Sequence, residues 1–334
     1  MARTACVTGI TGQTGSYLAE LLLQEGYKVY GMKRRSSNLN TDRIDHLYTD
    51  LHASSRLELV YGDLSDYSSV AGLVADVKPD LFFNLGAMSH VRVSFDVPEY
   101  TFDVDANGVI RCLEAIRKHS PTTRFLQASS SEMFGASPPP QNEQTPFKPQ
   151  SPYAIAKVAA YHATVNYREA YKMFAVNCIA MNHESPRRGE TFVTRKITRA
   201  ATRIKMGLQE KLYLGNLDAK RDWSHAKDVA GAMMKIINAN APDDYLAASD
   251  EMHSVHEFIK IVFDKLELGN WLDYVLIDPK YYRPTEVDAL CGDSLKLRTK
   301  LGWRPTYSFT GLIDEMIESD LKLAKAERLV KESK

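Results

Sequence analysis

Four cysteines in 334 residues, Cys6, Cys112, Cys178 and Cys291, are too few and too scattered for a disulfide framework, and no two form a CxxC. Buried thiols in a reducing compartment are expected. No apolar run is long enough to cross a bilayer, and Met1–Thr8 runs straight into a strand pattern without an apolar targeting segment. The expectation is a cytoplasmic protein with no membrane partner. Neither sign of charge is in excess, since Lys+Arg and Asp+Glu number 42 each. That removes the basic footprint of a nucleic-acid binder and the acidic tail of a solvating segment. The nine histidines contain no HExxH. His253 and His256 stand at i, i+3 without an acidic or thiol partner at metal-site spacing, so no metal is expected. What remains is a chain that is 44% hydrophobic, enough for one large domain or two intertwined lobes.

The first half alternates strand and helix patterns. Apolar strands are predicted at Ala5–Thr8, Val29–Met32, Leu57–Tyr61, Leu81–Leu85, Arg124–Ala128 and Ala175–Ala180. Helices are predicted at Gly15–Glu25, Tyr67–Val77, Thr101–His119 and Tyr153–Tyr171. This alternation implies a Rossmann-like, doubly wound parallel α/β sheet with right-handed crossovers. After about residue 181 loops lengthen and short strands mix with helices, as in a smaller mixed α/β substrate lobe. Ala226–Asn238 and Tyr245–Ala247 read as a helix and strand returning to the sheet. The predicted division is 1–181, with 224–250 returning to it, against 182–223 and 251–334.

Gly9, Gly12 and Gly15 follow the first strand and open the first helix. The spacing is GxxGxxG, which allows a tight turn, close backbone approach to a pyrophosphate and a helix N-terminus facing it. Thr11 and Gln13 lie inside the motif. Dinucleotide sites that hold an unphosphorylated ribose place a carboxylate after the second strand. Here that strand ends in Lys33-Arg34-Arg35-Ser36-Ser37. Guanidinium forks suit a 2′-phosphate, so NADP is the predicted cofactor. Asp63 and Leu64 after the third strand suit the adenine. Leu85, Gly86, Ala87 and Ser89 after the fourth offer the small residues that a cofactor needs close by.

Ser151-Pro152-Tyr153-Ala154-Ile155-Ala156-Lys157 places a phenol and an ammonium one helical turn apart on one face. A phenol titrates about three units too high to be a base at neutrality, and a neighbouring cation is expected to lower it. The strand before this helix ends in Ser129-Ser130-Ser131-Glu132. A Ser130 hydroxyl there can bond a substrate oxygen and the Tyr153 phenol. Glu132 adds a second acid/base group, which simple alcohol dehydrogenation does not need. Read alone, it is better taken as a surface carboxylate or a cap for the following loop.

These residues resemble the extended short-chain dehydrogenase/reductases, and within them the GDP-mannose 4,6-dehydratase family. The resemblance runs nearly end to end. It is carried by Gly9-Ile10-Thr11-Gly12-Gln13, Arg34–Ser37, Val91–Phe95, Ser131-Glu132, Asn182–Lys196, Leu214–Asp218, Arg221-Asp222-Trp223 and Tyr282–Val287. The 182–196 block is its most specific part. The resemblance implies an NADP-dependent enzyme. In it Tyr153 takes the O4 proton of a GDP-sugar, Glu132 removes the C5 proton and assists loss of water from C6, and Lys157 holds the nicotinamide ribose. It further implies cofactor contacts at Tyr100, His183 and Arg188, and GDP-sugar contacts at Ser89, Asn182, Lys196, Arg221, Arg283 and Glu286. A homo-oligomer, dimer or tetramer, is implied, with the arm at Arg43 reaching a neighbouring subunit's cofactor.

Three residues depart from the family pattern: Thr14 stands for a usual Asp, Met88 for a usual Gln and Ser130 for a usual Thr. The 268–277 segment is also shorter. The Met88 and Ser130 changes keep a dehydratase of another GDP-sugar, such as GDP-manno-heptose, in view. A 4-keto-reductase or 4-epimerase needs Tyr153 and Lys157 but not Glu132. A non-catalytic NADP-binding regulator is expected to have lost Tyr153 or Lys157, and both are present.

Overall fold

The computed structural model describes residues 3–37, 39–47, 56–282 and 284–333. Seven strands form one sheet: β1 Thr4–Thr8, β2 Lys28–Lys33, β3 Leu57–Tyr61, β4 Leu81–Asn84, β5 Arg124–Ser130, β6 Ala175–Ala180 and β7 Tyr245–Ala247. Their order is β7-β6-β5-β4-β1-β2-β3, and every neighbouring pair is parallel. The chain steps outward from β1 to β3, then returns to the other side of β1 at β4. That reversal opens a crevice beyond the carboxyl ends of β1 and β4, where Thr8 pairs with Asn84. Every residue of β4 and β6 is buried. Helices on both faces explain why these strands read as continuous apolar runs rather than alternating ones.

The helices are α1 Gln13–Gln24, α2 Tyr67–Val77, α3 Gly108–His119, α4 Pro152–Tyr171, α5 Val193–Lys205, α6 Ala226–Ile237, α7 Val255–Lys265, α8 Leu295–Leu301 and α9 Phe309–Glu332. On one face of the sheet, Leu18 and Leu22 of α1 and Met233 and Ile236 of α6 pack on Val29, Phe83 and Leu126. On the other, Val70 and Val74 of α2 and Leu113 and Ile116 of α3 pack on Phe82 and Phe125. A separate core lies among α5, α7 and α9. Ile197, Ala200, Ala201 and Ile204 of α5 fall at i, i+3, i+4, i+7, the spacing of one helical face. They meet Phe258 and Val262 of α7 and Leu312 and Met316 of α9.

The helix and strand expected to return to the sheet do so as α6 and β7. Two expectations are modified. The long helix predicted over 101–119 is interrupted: Pro98–Phe102 is one short helix, Asp103–Asn107 is a π-turn, and α3 begins only at Gly108. Leu297 and Trp303, assigned by sequence to the smaller lobe, belong instead to the core beneath α1 and α6. Trp303 fixes this crossing by donating from its indole Nε1 to the Asp228 carbonyl at 3.0 Å. Among the described residues, no helix is long and apolar enough to cross a membrane.

Candidate active site

The turn after β1 is built around its glycines. Gly9 has φ +68°, and a Cβ there would lie 2.8 Å from the Gly86 backbone nitrogen. Only glycine lets the loops after β1 and β4 approach so closely. A Cβ on Gly15 would collide with the Gly9 carbonyl oxygen. Gly12 donates to that same carbonyl at 3.0 Å and caps α1 with no side chain of its own. The free amides at the start of α1 therefore face the crevice beside half-buried Thr11. This cradle fits a dinucleotide pyrophosphate.

Gln13 does something the motif did not suggest. It is buried, its amide donates to the His183 carbonyl at 3.0 Å, and it accepts from Ser185 Oγ at 2.7 Å. It ties the glycine turn to the loop after β6. His183 is held there as well. Its Nδ1 lies 2.9 Å from the Met181 carbonyl and so donates. Nε2 is left to accept from the Thr14 hydroxyl, 2.8 Å away. Burial, then the nearby Arg188, pushes this imidazole down to about 4, so it is neutral at physiological pH.

A chain of buried polar side chains braces the strand ends. Thr8 donates to Asn84 Oδ1 at 2.6 Å and accepts from the Leu85 and Gly86 nitrogens at 3.1 and 3.0 Å. Asn84 donates to Gln127 at 2.8 Å. Farther along, Ser129 donates to Asn177 at 2.9 Å, and Asn177 donates to Asp244. Arg168 of α4 closes the chain with two bonds to Asp244, at 2.8 and 2.7 Å. Each link satisfies a group that would otherwise cost stability when buried.

On that platform the structure gathers Ser130, Glu132, Tyr153 and Lys157. Ser130 ends β5, and its hydroxyl accepts from the Glu132 nitrogen at 3.2 Å. Glu132 is only 6% exposed, Tyr153 8% and Lys157 3%. Ser151 caps α4 by accepting from the Ala154 nitrogen at 3.1 Å, with Pro152 in the first turn. This fixes where the Tyr153–Lys157 face begins. Lys157 donates to the Ala128 carbonyl at 3.0 Å, and its ammonium stands 5.7 Å from the centre of the Tyr153 ring.

The expectation that Lys157 lowers the Tyr153 phenol is not met in this state. Burial raises the phenol first and the negative charge of Asp105 second, with Glu132 adding to the rise, while Ser130 and Arg188 oppose it. Burial lowers the Lys157 ammonium, with Asp105 opposing. Desolvation dominates both groups because they are almost fully withdrawn from water.

The remaining predicted residues divide into several groups. Arg34 donates to the Tyr100 hydroxyl at 2.6 Å, so two predicted cofactor contacts meet on an exposed arm. Arg35 donates to the Ser36 carbonyl. Arg43 donates to the Arg187 carbonyl at 2.6 Å, which places it on its own chain's glycine turn and loop. Asp63 accepts from the Ser65 nitrogen and hydroxyl at 2.9 and 2.8 Å, the work of a turn carboxylate. Leu64 is buried, and a Cβ on Gly86 would lie 2.9 Å from it. Ala87 is half-buried and Ser89 exposed.

Arg188 lies 3.1 Å from the Glu184 carboxylate and stacks 3.7 Å over the Phe192 ring. Asn182 has a buried Oδ1 without a hydrogen-bond partner among the described residues. The Lys196 ammonium rests 3.5 Å over Tyr281. Arg221 is buried and donates to the Lys220 carbonyl at 2.9 Å. Glu286 is half-buried, and Arg283 lies outside the described residues. No group of three or more His, Cys, Asp or Glu among the described residues is placed to hold a metal.

Sequence reasoning missed two parts of this site. Arg195 pairs with Asp320 of α9 at 2.7 Å, and also donates to the carbonyls of Pro186 and Arg188, so it pins the loop that carries Arg188. Asp105 is buried in the π-turn and accepts from the Met88 nitrogen at 2.7 Å. A carboxylate inside an apolar helical pattern was the available signal.

The family profile described as GDP-mannose 4,6 dehydratase matches residues 6–316. The chain is 54% identical to GDP-mannose 4,6 dehydratase 1 of Arabidopsis thaliana, over 98% of this chain and 92% of that protein. It is 47% identical to a GDP-mannose 4,6-dehydratase of Vibrio cholerae, over 99% and 97%. Among solved structures it superimposes on a putative epimerase from Burkholderia cenocepacia with a TM-score of 0.81 at 26% identity, covering 96% and 98% of the two chains. With a UDP-glucose 4-epimerase from Thermotoga maritima the TM-score is 0.83 at 21% identity, covering 96% and 99%, a likeness of fold. The matched length and the identities together make this chain a member of the GDP-mannose 4,6-dehydratase family, within the extended short-chain dehydrogenase/reductases.

Proposed function

We propose that this chain converts GDP-mannose to GDP-4-keto-6-deoxy-mannose, with NADP as its bound cofactor. One observation carries the reading: an acid/base carboxylate, Glu132, is buried beside the Tyr153–Lys157 pair, where oxidation of an alcohol alone needs none. The glycine cradle at Gly9, Gly12 and Gly15 would hold the pyrophosphate, and Arg34 and Arg35 the 2′-phosphate. When bound, the nicotinamide supplies an acceptor for the C4 hydride and a donor that returns it at C6.

The chain's own residues move the protons. Tyr153 takes the O4 proton as C4 becomes a ketone, and Ser130 bonds the same oxygen. The ketone acidifies C5–H, and Glu132 removes that proton. Glu132 then protonates the C6 hydroxyl, which leaves as water. With hydride delivered to C6, C5 takes a proton, and the one Tyr153 gained from O4 is available for it. Every group ends as it began, so no net reduction is consumed. Asn182, Lys196 and Arg221, with Arg283 and Glu286, form the proposed GDP subsite, and Ser89 a contact to the sugar. The division into a cofactor part, 1–181 with 224–250, and a substrate part, 182–223 with 251–334, belongs to the same reading, except that Leu297 and Trp303 pack on the cofactor part.

Phe102, Ile110 and Ile155 are exposed apolar residues on the helical layer that covers the β4–β5 side of the sheet. They support a homo-oligomer through this layer, and light scattering tests it. A cytoplasmic, cofactor-retaining enzyme without nucleic-acid or membrane partners completes the proposal.

The direct experiment offers GDP-mannose, GDP-manno-heptose, dTDP-glucose and UDP-glucose, and reads loss of water by mass spectrometry alongside reduced-nicotinamide absorbance. Turnover of GDP-mannose without net change in absorbance is expected. Preference for the heptose would change the sugar, as Met88 in place of a polar residue allows. Preference for dTDP or UDP would overturn the reading.

A further inference from the structure

Val104, Asp105 and Ala106 are three consecutive buried residues, which an ordinary amphipathic helix facing one layer does not produce. The π-turn causes this by adding a residue to the helical circuit, a distortion that recurs at functional sites. Asp105 is 1% exposed. One carboxylate oxygen accepts from the Met88 nitrogen. The other, Oδ2, is buried and has no hydrogen-bond partner among the described residues. A carboxylate held this way is costly unless a charge nearby compensates it.

The charges around the turn can be named. On its own segment Asp103 is taken by Arg111 at 2.8 Å, and Glu99 before it is exposed. The helix packed across it, α4, presents Lys157 and Tyr153. Among the described residues, the charge of Lys157 acts on Asp105, and Asp105 in turn acts on both Lys157 and Tyr153. Glu132 and Arg188 reach Tyr153 from β5 and the loop after β6. Met88 holds the carboxylate through its backbone nitrogen.

We propose that Asp105 is a positioning residue of the reaction: its buried carboxylate is the counter-charge that keeps Lys157 an ammonium and thereby sets how tightly Tyr153 holds its proton. This rests on the reading of Tyr153 and Lys157 as the proton-handling pair. Burial alone would drive Lys157 towards the neutral amine, which could no longer stabilise a phenolate. Asp105 prevents that, and it also makes Tyr153 a stronger base once deprotonated. Burial also lifts the Asp105 carboxyl to about 6, so it titrates close to the working range.

The test is Asp105→Asn, an isostere without the charge. Loss of a negative charge lowers both Tyr153 and Lys157. Both limbs of the kcat/KM–pH profile for GDP-mannose should therefore move to lower pH together, by about one unit. Asp105→Glu should restore part of the shift. A folded, NADP-binding Asp105→Asn variant with an unmoved profile overturns the proposal, whatever happens to its kcat. Where that variant does not fold, aspartate carboxyl 13C resonances of the unaltered protein are titrated instead. One resonance should titrate above the usual carboxylate range and rise further in Lys157→Met. No response to Lys157→Met overturns the proposal. Tyr153→Phe separates the two levels: retained turnover there sinks the underlying reading, whereas a dead Tyr153→Phe with an unmoved Asp105→Asn profile sinks only this inference.

Discussion

Lys157 and Arg34 are both cations beside the crevice, and the protein treats them in opposite ways. Lys157 is almost fully buried, its ammonium fixed by one carbonyl. Arg34 lies in water and touches one exposed tyrosine. At the rim of β4, β5 and β6, proton affinities are set by withdrawal from solvent, so Tyr153 rises and Lys157 falls. On the arm after β2, charge remains available for a ligand but is open to screening over about 8 Å at physiological salt. On the proposed reading, the rim tunes protons and the arm recognises a phosphate. A substitution at the rim should change chemistry with little dependence on salt. One on the arm should change affinity and depend on salt.

The sharpest way to break this contrast is Glu132→Gln. The amide keeps the shape but cannot accept the C5 proton, so turnover should fall by about 10²–10⁴-fold while NADP and GDP-sugar binding persist. Near-normal dehydration would remove Glu132 from the mechanism. Next is Asp320→Ala, which strands the buried Arg195. Breaking a buried pair this way costs about 3–5 kcal/mol, read as a drop in thermal midpoint, and it frees the loop that carries Arg188. A midpoint equal to that of the unaltered protein would show that the pair carries no strain when broken.

Replacing Arg34 and Arg35 together by Ala should weaken NADP by tenfold or more and NAD little, since charge-assisted bonds contribute about 1.5–3 kcal/mol each. The loss should shrink in high salt. An unchanged NADP/NAD ratio would leave the arm as solvated surface only. The smallest effect is expected from Ser151→Ala, which removes the cap of α4 at a cost of about 1 kcal/mol. Denaturant unfolding reads it, and turnover should change only slightly.

Much of the fold was legible. The strands at 57–61, 175–180 and 245–247 fall where their apolar runs and flanking turn residues put them. Ser130, Glu132, Tyr153 and Lys157 could be named because strand ends and a four-residue helical spacing are local signals. The π-turn could not be seen, because apolar periodicity continues on both sides of Asp103–Asn107 and sequence spacing does not reveal one extra residue in a turn. Asp105 therefore passed for an ordinary helical polar residue. Asn84, Gln127 and Asn177 gave no warning either, since a buried amide in a strand is explained only by its partner on another strand. Trp303 was misplaced for the same reason: its partner, the Asp228 carbonyl, is 75 residues away.

The Arg195–Asp320 tie has a consequence for engineering this enzyme. One guanidinium grips α9 on one side and the carbonyls of Pro186 and Arg188 on the other. The final helix is thus indexed to the active-site loop. Deleting one residue between Phe309 and Asp320 would rotate Asp320 by about 100° about the helix axis and uncouple the two. The turn at 206–211, which carries no such grip on the loop, is where an insertion or a fused tag would leave the site in register.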